Sequence, residues 1–185
     1  MYQAHFGLRE LPFGITPDTS FAFSGTSHQE ALNTLLIAAS SGDGFTKITG
    51  EVGTGKTMLC RRFMAAVDDS YVCAYLPNPL LEPKGLMLAL ARELELRVKA
   101  RADLQALIQQ LGKSLLGYAE DDKRVLVCID EAQALPPDTL EALRLLTNLE
   151  TDKRKLLQVF LFGQPEFDTM LAQDSFRQLR QRITC

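Results

Sequence analysis

Residues 50–57 read Gly50-Glu51-Val52-Gly53-Thr54-Gly55-Lys56-Thr57, the pattern G-x-x-x-x-G-K-[ST]. This pattern functions where a strand hands over to a helix and the main chain curls around an anion, so it restricts both the local fold and the ligand class. Gly50, Gly53 and Gly55 open backbone conformations closed to residues with a Cβ. Successive N–H groups from Gly50, Glu51, Val52, Gly53, Thr54, Gly55, Lys56, Thr57 and Met58 can then turn inward on phosphate oxygens. Lys56 supplies a point charge for the β- and γ-phosphates, and the Thr57 hydroxyl is placed to ligate Mg²⁺. A helix starting near Thr57 adds the partial positive charge of its N-terminus.

A glycine-rich turn alone would mean little, but the flanks of this one fit the pattern. Upstream, Phe45-Thr46-Lys47-Ile48-Thr49 alternates with β-prone residues; downstream, residues 58–67 carry apolar positions on one helical face. Strand, loop and helix together imply nucleotide binding.

The chain has 185 residues, enough for one domain that buries a core without disulfides. Its net charge of −3 gives no overall basic face for nucleic acid. Cys60, Cys73, Cys128 and Cys185 show no C-x-x-C pair and no neighbouring His, which argues against a metal site by spacing and for reduced thiols. The first residues lack a basic region followed by an apolar run, and no stretch has the length of a membrane span. These features predict a cytoplasmic chain that meets the membrane only through partners or further segments.

Residues 1–26 are rich in Pro, Gly and Phe and read as a lead-in that packs on the nucleotide site, ahead of a core over 27–185. Ser27-His28-Gln29-Glu30 has the form of a capping box opening a helix over 28–40. Further strands are expected at 71–76, 125–129 and 156–162, and further helices at 83–96, 103–118, 136–149 and 165–172. The charged stretch at 119–124 reads as a solvated turn. Strands alternating with helices predict an α/β fold with a parallel sheet between helical layers.

The strand at 125–129 runs directly into Asp130-Glu131, the natural complement of the phosphate loop. Asp130 is expected to hold Mg²⁺ through water, and Glu131 to polarise the attacking water. Gln164 ends the next strand, where ligands of a parallel sheet bind, and is a candidate for sensing the γ-phosphate. Arg177, Arg180 and Arg182 cluster near the end of the chain, where one could serve as a finger toward a neighbouring subunit's nucleotide.

In this order the motifs resemble an AAA+ ATPase module. The match narrows through His5-Phe6-Gly7-Leu8, Pro12-Phe13, Thr16-Pro17-Asp18, His28-Gln29-Glu30-Ala31-Leu32, Ile129-Asp130-Glu131-Ala132-Gln133, 143–151 and Gly163-Gln164-Pro165-Glu166. These resemble the general secretion pathway protein A (ExeA-type) ATPases over essentially the whole chain. Within that family, Tyr75-Leu76-Pro77-Asn78-Pro79 is most similar to the MshM-type group of mannose-sensitive haemagglutinin (MSHA) pilus biogenesis.

The resemblance implies a P-loop NTPase fold with an AAA+ core in three α/β/α layers. It further implies ATP and Mg²⁺ as cofactors, and hydrolysis at the interfaces of a homo-oligomeric ring. Lys56 and Thr57 carry over as the phosphate-loop pair, Asp130 and Glu131 as the metal and water residues, and Gln164 as the first sensor. Arg182 matches the finger position best and Arg180 second, while Phe13 and Ile15 fall where such modules wrap adenine. Those modules continue into a helical lid, so the chain is expected to be a fragment that stops before it.

The function this implies is an ATPase that drives assembly of a type IV (MSHA) pilus or a type II secretion machine, with proteins of those machines as partners. The same constellation also resembles DNA-associated ATPases of transposition and replication initiation. DNA-stimulated hydrolysis or salt-dependent DNA binding would favour that reading. A nucleotide-gated scaffold without turnover is a third, and Glu131→Gln would leave it little changed.

Overall fold

The computed structural model describes residues 5, 7, 26–99, 101–151 and 155–184. Phe13, Ile15 and nearly all of the expected lead-in lie outside the described residues. The strands are β1 Phe45–Thr49, β2 Tyr71–Leu76, β3 Arg124–Ile129, β4 Leu157–Gly163 and β5 Ile183–Thr184. The helices are α1 Thr26–Ser41, α2 Lys56–Ala66, α3 Pro83–Glu93, α4 Leu104–Glu120, α5 Pro137–Thr147, α6 Pro165–Leu171 and α7 Arg177–Arg180. Short 3₁₀ turns at Ala132–Ala134 and Asp174–Phe176 complete the described elements.

All the strands pair in parallel, in the order β2-β3-β4-β1-β5. After β1 the chain crosses to the far edge, returns strand by strand to β4, and then lays β5 along the other side of β1. Thr49 is in register with Gly163, and Ile129 with Leu161. The residues that follow β1, β3 and β4 therefore emerge on one rim of the sheet, where ligands of open parallel sheets bind.

Alternation along the strands builds two apolar layers. Leu126, Cys128, Phe160 and Phe162 face α1 and α2, meeting Leu35, Leu59, Cys60 and Phe63. The Phe63 and Phe160 rings lie 4.7 Å apart, tilted by 44°, a favourable aromatic geometry. Val125, Val127, Ile129, Val159 and Leu161 face the other layer, with Leu90, Leu111, Leu143 and Phe167. Because β3 and β4 are covered on both faces, they read as continuous apolar runs. Among the described residues, no helix is long and apolar enough to cross a membrane.

Helix ends depart from the sequence reading in instructive ways. The periodicity carries α3 on to Leu96, yet it stops at Glu93 because Glu95 turns left-handed (φ 54°). The Glu95 N–H donates to the Arg92 carbonyl at 3.0 Å and the Leu96 N–H to that of Ala91 at 2.7 Å. This paired cap folds Leu96 back onto the core. Asp122 (φ 57°) closes α4 in the same way, which gives the charged turn at 119–124 a structural role. Asp103 opens α4 by accepting from the Ala106 N–H at 2.8 Å. The capping box at Ser27 does not start α1, since the helix begins at Thr26 and Ser27 lies in its first turn. A cap contributes about 1 kcal/mol, little beside burial of Leu32 and Leu35 against the sheet.

Candidate nucleotide site

The phosphate loop leaves β1 beside the end of β4, tied there by the Gly50 N–H, which donates to the Gly163 carbonyl at 3.2 Å. Gly53 and Gly55 adopt φ of 81° and 82°, the left-handed region glycine tolerates and the reason those positions carry it. Inside the loop, the Thr54 N–H and hydroxyl both donate to the Glu51 carbonyl, at 3.3 and 2.8 Å. Lys56 Nζ donates to the carbonyls of Gly50 and Glu51 at 2.7 and 2.8 Å. An ammonium resting on neutral carbonyls is available to a phosphate, whose opposite charge makes the stronger bond.

Asp130 is delivered by β3 to the same rim and is only 3% exposed. Its Oδ2 accepts from the Thr57 hydroxyl at 2.5 Å and lies 3.4 Å from the Tyr75 hydroxyl, while Oδ1 accepts from the Glu131 N–H at 3.0 Å. Burial, and then the Asp130 charge, push the Tyr75 phenol up to about 12, so Tyr75 keeps its proton and can only lend it in a hydrogen bond. A hydroxyl and a carboxylate side by side are hard oxygen donors of the kind Mg²⁺ takes. Among the described residues no three His, Cys, Asp or Glu converge to hold a metal ion by themselves. A pair of protein oxygens suits a cation that draws its other ligands from water and phosphate.

Glu131 turns the chain sharply, at φ 53°, into the 3₁₀ turn that follows β3. Its Oε2 accepts from Gln133 Nε2 at 2.5 Å and from Gln164 Nε2 at 3.0 Å. The Gln133 Oε1 accepts the Gln164 N–H at 3.1 Å. Between an acceptor-only carboxylate and a donor-only N–H, one orientation of the Gln133 amide satisfies both. A Cβ on Gly163 would crowd Phe167, whose Cβ would lie 3.2 Å away, and would only touch Gln133 Oε1, at 3.4 Å.

The arginines sit elsewhere. Ile183 is in register with Phe45, so Arg182 lies at the opposite end of β1 from the loop, roughly 20 Å from Gly50 at about 3.3 Å per residue. There it donates to Asn148 Oδ1 and lines a groove with Gly44, Phe45, Thr147 and Lys155. Arg180 donates to the Ala172 carbonyl at 3.1 Å, beside the Lys47–Asp168 ion pair. Arg177 lines a cleft with Asp138, Glu141 and Asp174. The structure thus brings Lys56, Thr57, Asp130, Glu131 and Gln164 together and keeps Arg180 and Arg182 apart from them.

Tyr75, Gln133 and His28 reach the site without having been given a role from sequence. Tyr75 stands in the strand expected at 71–76, and all three stand in stretches quoted for the family resemblance. His28 stands in the helix before the loop, with Nε2 2.9 Å from the Thr54 carbonyl oxygen.

Residues 38–171 match the AAA domain family, a span that holds the loop, Asp130, Glu131 and Gln164 and ends before the arginines. General secretion pathway protein A of Aeromonas hydrophila is 45% identical over 184 residues, covering 100% of this chain and 34% of that protein. The chain thus spans about a third of the length of that relative. Among solved structures, Cdc6p of Pyrobaculum aerophilum aligns with a TM-score of 0.68 and 20% identity, over 91% of this chain and 48% of that one. The Aeropyrum pernix ORC2 protein, solved in ADPNP–ADP complexes, aligns with a TM-score of 0.63 and 17% identity, over 86% and 45%. Those two likenesses concern the fold. The family match over most of the chain, and the relative aligned along all of it, establish that this chain belongs to the AAA domain family and is related to general secretion pathway protein A.

Proposed function

We propose that this chain binds ATP with Mg²⁺ and hydrolyses it to ADP and phosphate at a site completed by a second copy of the chain. The observation that carries the reading is the convergence on one rim of the phosphate loop, the Thr57–Asp130 pair at 2.5 Å and the Glu131–Gln164 pair at 3.0 Å. Loop amides and Lys56 would hold the β- and γ-phosphates, and Thr57 with Asp130 would hold Mg²⁺. Bound Mg²⁺ would neutralise charge on the phosphate oxygens. Glu131 would accept the proton of the attacking water, and Gln164 would orient that water or the γ-phosphate. Arg182, too far from its own loop, would act on a neighbour's nucleotide, with Arg180 as the alternative.

The biological role we propose follows the relative: an assembly ATPase of a type II secretion machine or of a type IV pilus such as the MSHA pilus. It would work as a ring at the cytoplasmic face of the inner membrane, with proteins of the machine as partners. Phe13 and Ile15 are proposed to contact adenine, and residues 1–26 to form a lead-in to a core over 27–185.

The test is Mg·ATP turnover by this chain and by Lys56→Ala over a range of protein concentrations, with and without DNA. Turnover that requires Lys56 and rises per subunit with concentration supports an interface-completed ATPase. Stimulation by DNA would replace the secretion reading with a DNA-associated one, and Lys56-dependent binding without turnover would leave a nucleotide-gated scaffold.

A further inference from the structure

We propose that His28 is a positioning residue of the nucleotide site, holding the phosphate loop in its anion-binding shape from the outside. The proposal rests on the nucleotide-binding reading above and adds a residue that lies before both site motifs in the chain. His28 sits in the first turn of α1, and its Nε2 lies 2.9 Å from the Thr54 carbonyl oxygen, 26 residues away in sequence. A carbonyl only accepts, so Nε2 carries the proton of this bond.

The consequence for the loop follows from peptide geometry. In a trans peptide the C=O of one residue and the N–H of the next point in opposite directions, and the described peptides include no cis bond. Pinning the Thr54 carbonyl against α1 therefore aims the Gly55 N–H away from α1, the direction an inward-turned loop amide must take. The same closeness accounts for part of the glycine requirement. A Cβ on Gly55 would lie 3.0 Å from His28 Nε2, and φ there is 82°. Distant segments thus secure the loop at both ends, the Gly163 carbonyl at Gly50 and the His28 imidazole at Thr54.

Three variants separate this role from a merely structural one. In Gln the side-chain N–H₂ stands at about the reach of Nε2, in Asn at the shorter reach of Nδ1, and in Ala it is absent. Binding of a fluorescent ADP analogue to the wild type, His28→Gln, His28→Asn and His28→Ala would be measured together with Tm and with hydrogen exchange at the Gly55 amide. We expect Ala and Asn to weaken binding about 3- to 10-fold and to speed Gly55 exchange, with Gln within about twofold of wild type and Tm unchanged in all.

Equal binding by all four proteins would overturn the proposal. So would equal loss in all three variants, or a loss that follows Tm. A wild type that binds no ADP would overturn the nucleotide reading as a whole, a result distinct from wild-type binding that is indifferent to position 28.

Discussion

Gln164, at the end of β4, donates through Nε2 to the Glu131 carboxylate at 3.0 Å. The residue proposed to sense the γ-phosphate and the residue proposed to activate water are therefore already in contact across the gap between two strands. Gln133 closes the triangle, with its nitrogen on Glu131 and its oxygen on the Gln164 main chain. Glu131 Oε2 is held by two amide donors, and its position depends on both.

Removing the bridge should loosen Glu131 without touching the phosphate loop. Gln133→Met keeps the volume and deletes both hydrogen bonds. Turnover should fall by about 10- to 100-fold, the scale of a catalytic group misplaced by about 1 Å. ATP affinity and Tm should stay near wild type. Single-turnover kinetics alongside ATP titration separate the two effects, and an equal loss in binding would assign Gln133 to the nucleotide pocket instead.

Glu131→Gln keeps the shape of the site and removes the base proposed for it. Hydrolysis should drop by about 10²- to 10⁴-fold while ATP is retained, because Lys56, Thr57 and Asp130 are untouched. Filter-binding of radiolabelled ATP against product release gives the readout. A variant that hydrolyses at the wild-type rate would remove Glu131 from the chemistry.

How much of this was legible in the sequence depends on whether the signal was local. The loop, β3 with Asp130 and Glu131, and the two-faced sheet could be read because each is one continuous segment whose period or glycine spacing states its geometry. The end of α3 could not, because Glu95 adopts a conformation usual for glycine and the cap works by folding Leu96 onto a core that only the tertiary structure supplies. Gln133, Tyr75 and His28 escaped for a related reason: each acts on a residue brought near by strand register or by helix packing. The separation of Arg182 from the loop became visible only through the pairing of Ile183 with Phe45.

The Lys47–Asp168 pair ties β1 to α6 below the site, at 2.5 Å, with Thr49 donating to the other carboxylate oxygen at 2.8 Å. Burial pushes the Asp168 carboxyl up, but the hydrogen bonds from Lys47 and Thr49 and the Lys47 charge outweigh it and hold the group below its ordinary value. A carboxyl lowered by folding adds stability above its unfolded value, near pH 4, and that stability is lost as pH falls through the lower folded one. Lys47→Met should therefore lower Tm at neutral pH and converge on wild type as the pH is taken below the ordinary carboxyl range. Because the Asp168 side chain is 42% exposed, the neutral-pH difference should be small, about 1–3 °C. A gap that widened on acidification would contradict the assignment.

Arg182 stands at the end of β1 away from the loop, so any action on nucleotide must be in trans, and complementation tests that directly. Arg182→Ala retains an intact loop, and Lys56→Ala retains an intact arginine. Each alone should be nearly inactive, since removing such an arginine costs about 10³-fold or more in turnover. In an equal mixture, a ring built from head-to-tail contacts pairs a good loop with a good arginine at about a quarter of its interfaces. Turnover should recover to that fraction of wild type, and only at concentrations where subunits associate. Arg180→Ala in place of Arg182→Ala provides the control for which arginine acts. Mixtures as inactive as their components, at concentrations where wild type is active, would exclude a trans role for Arg182.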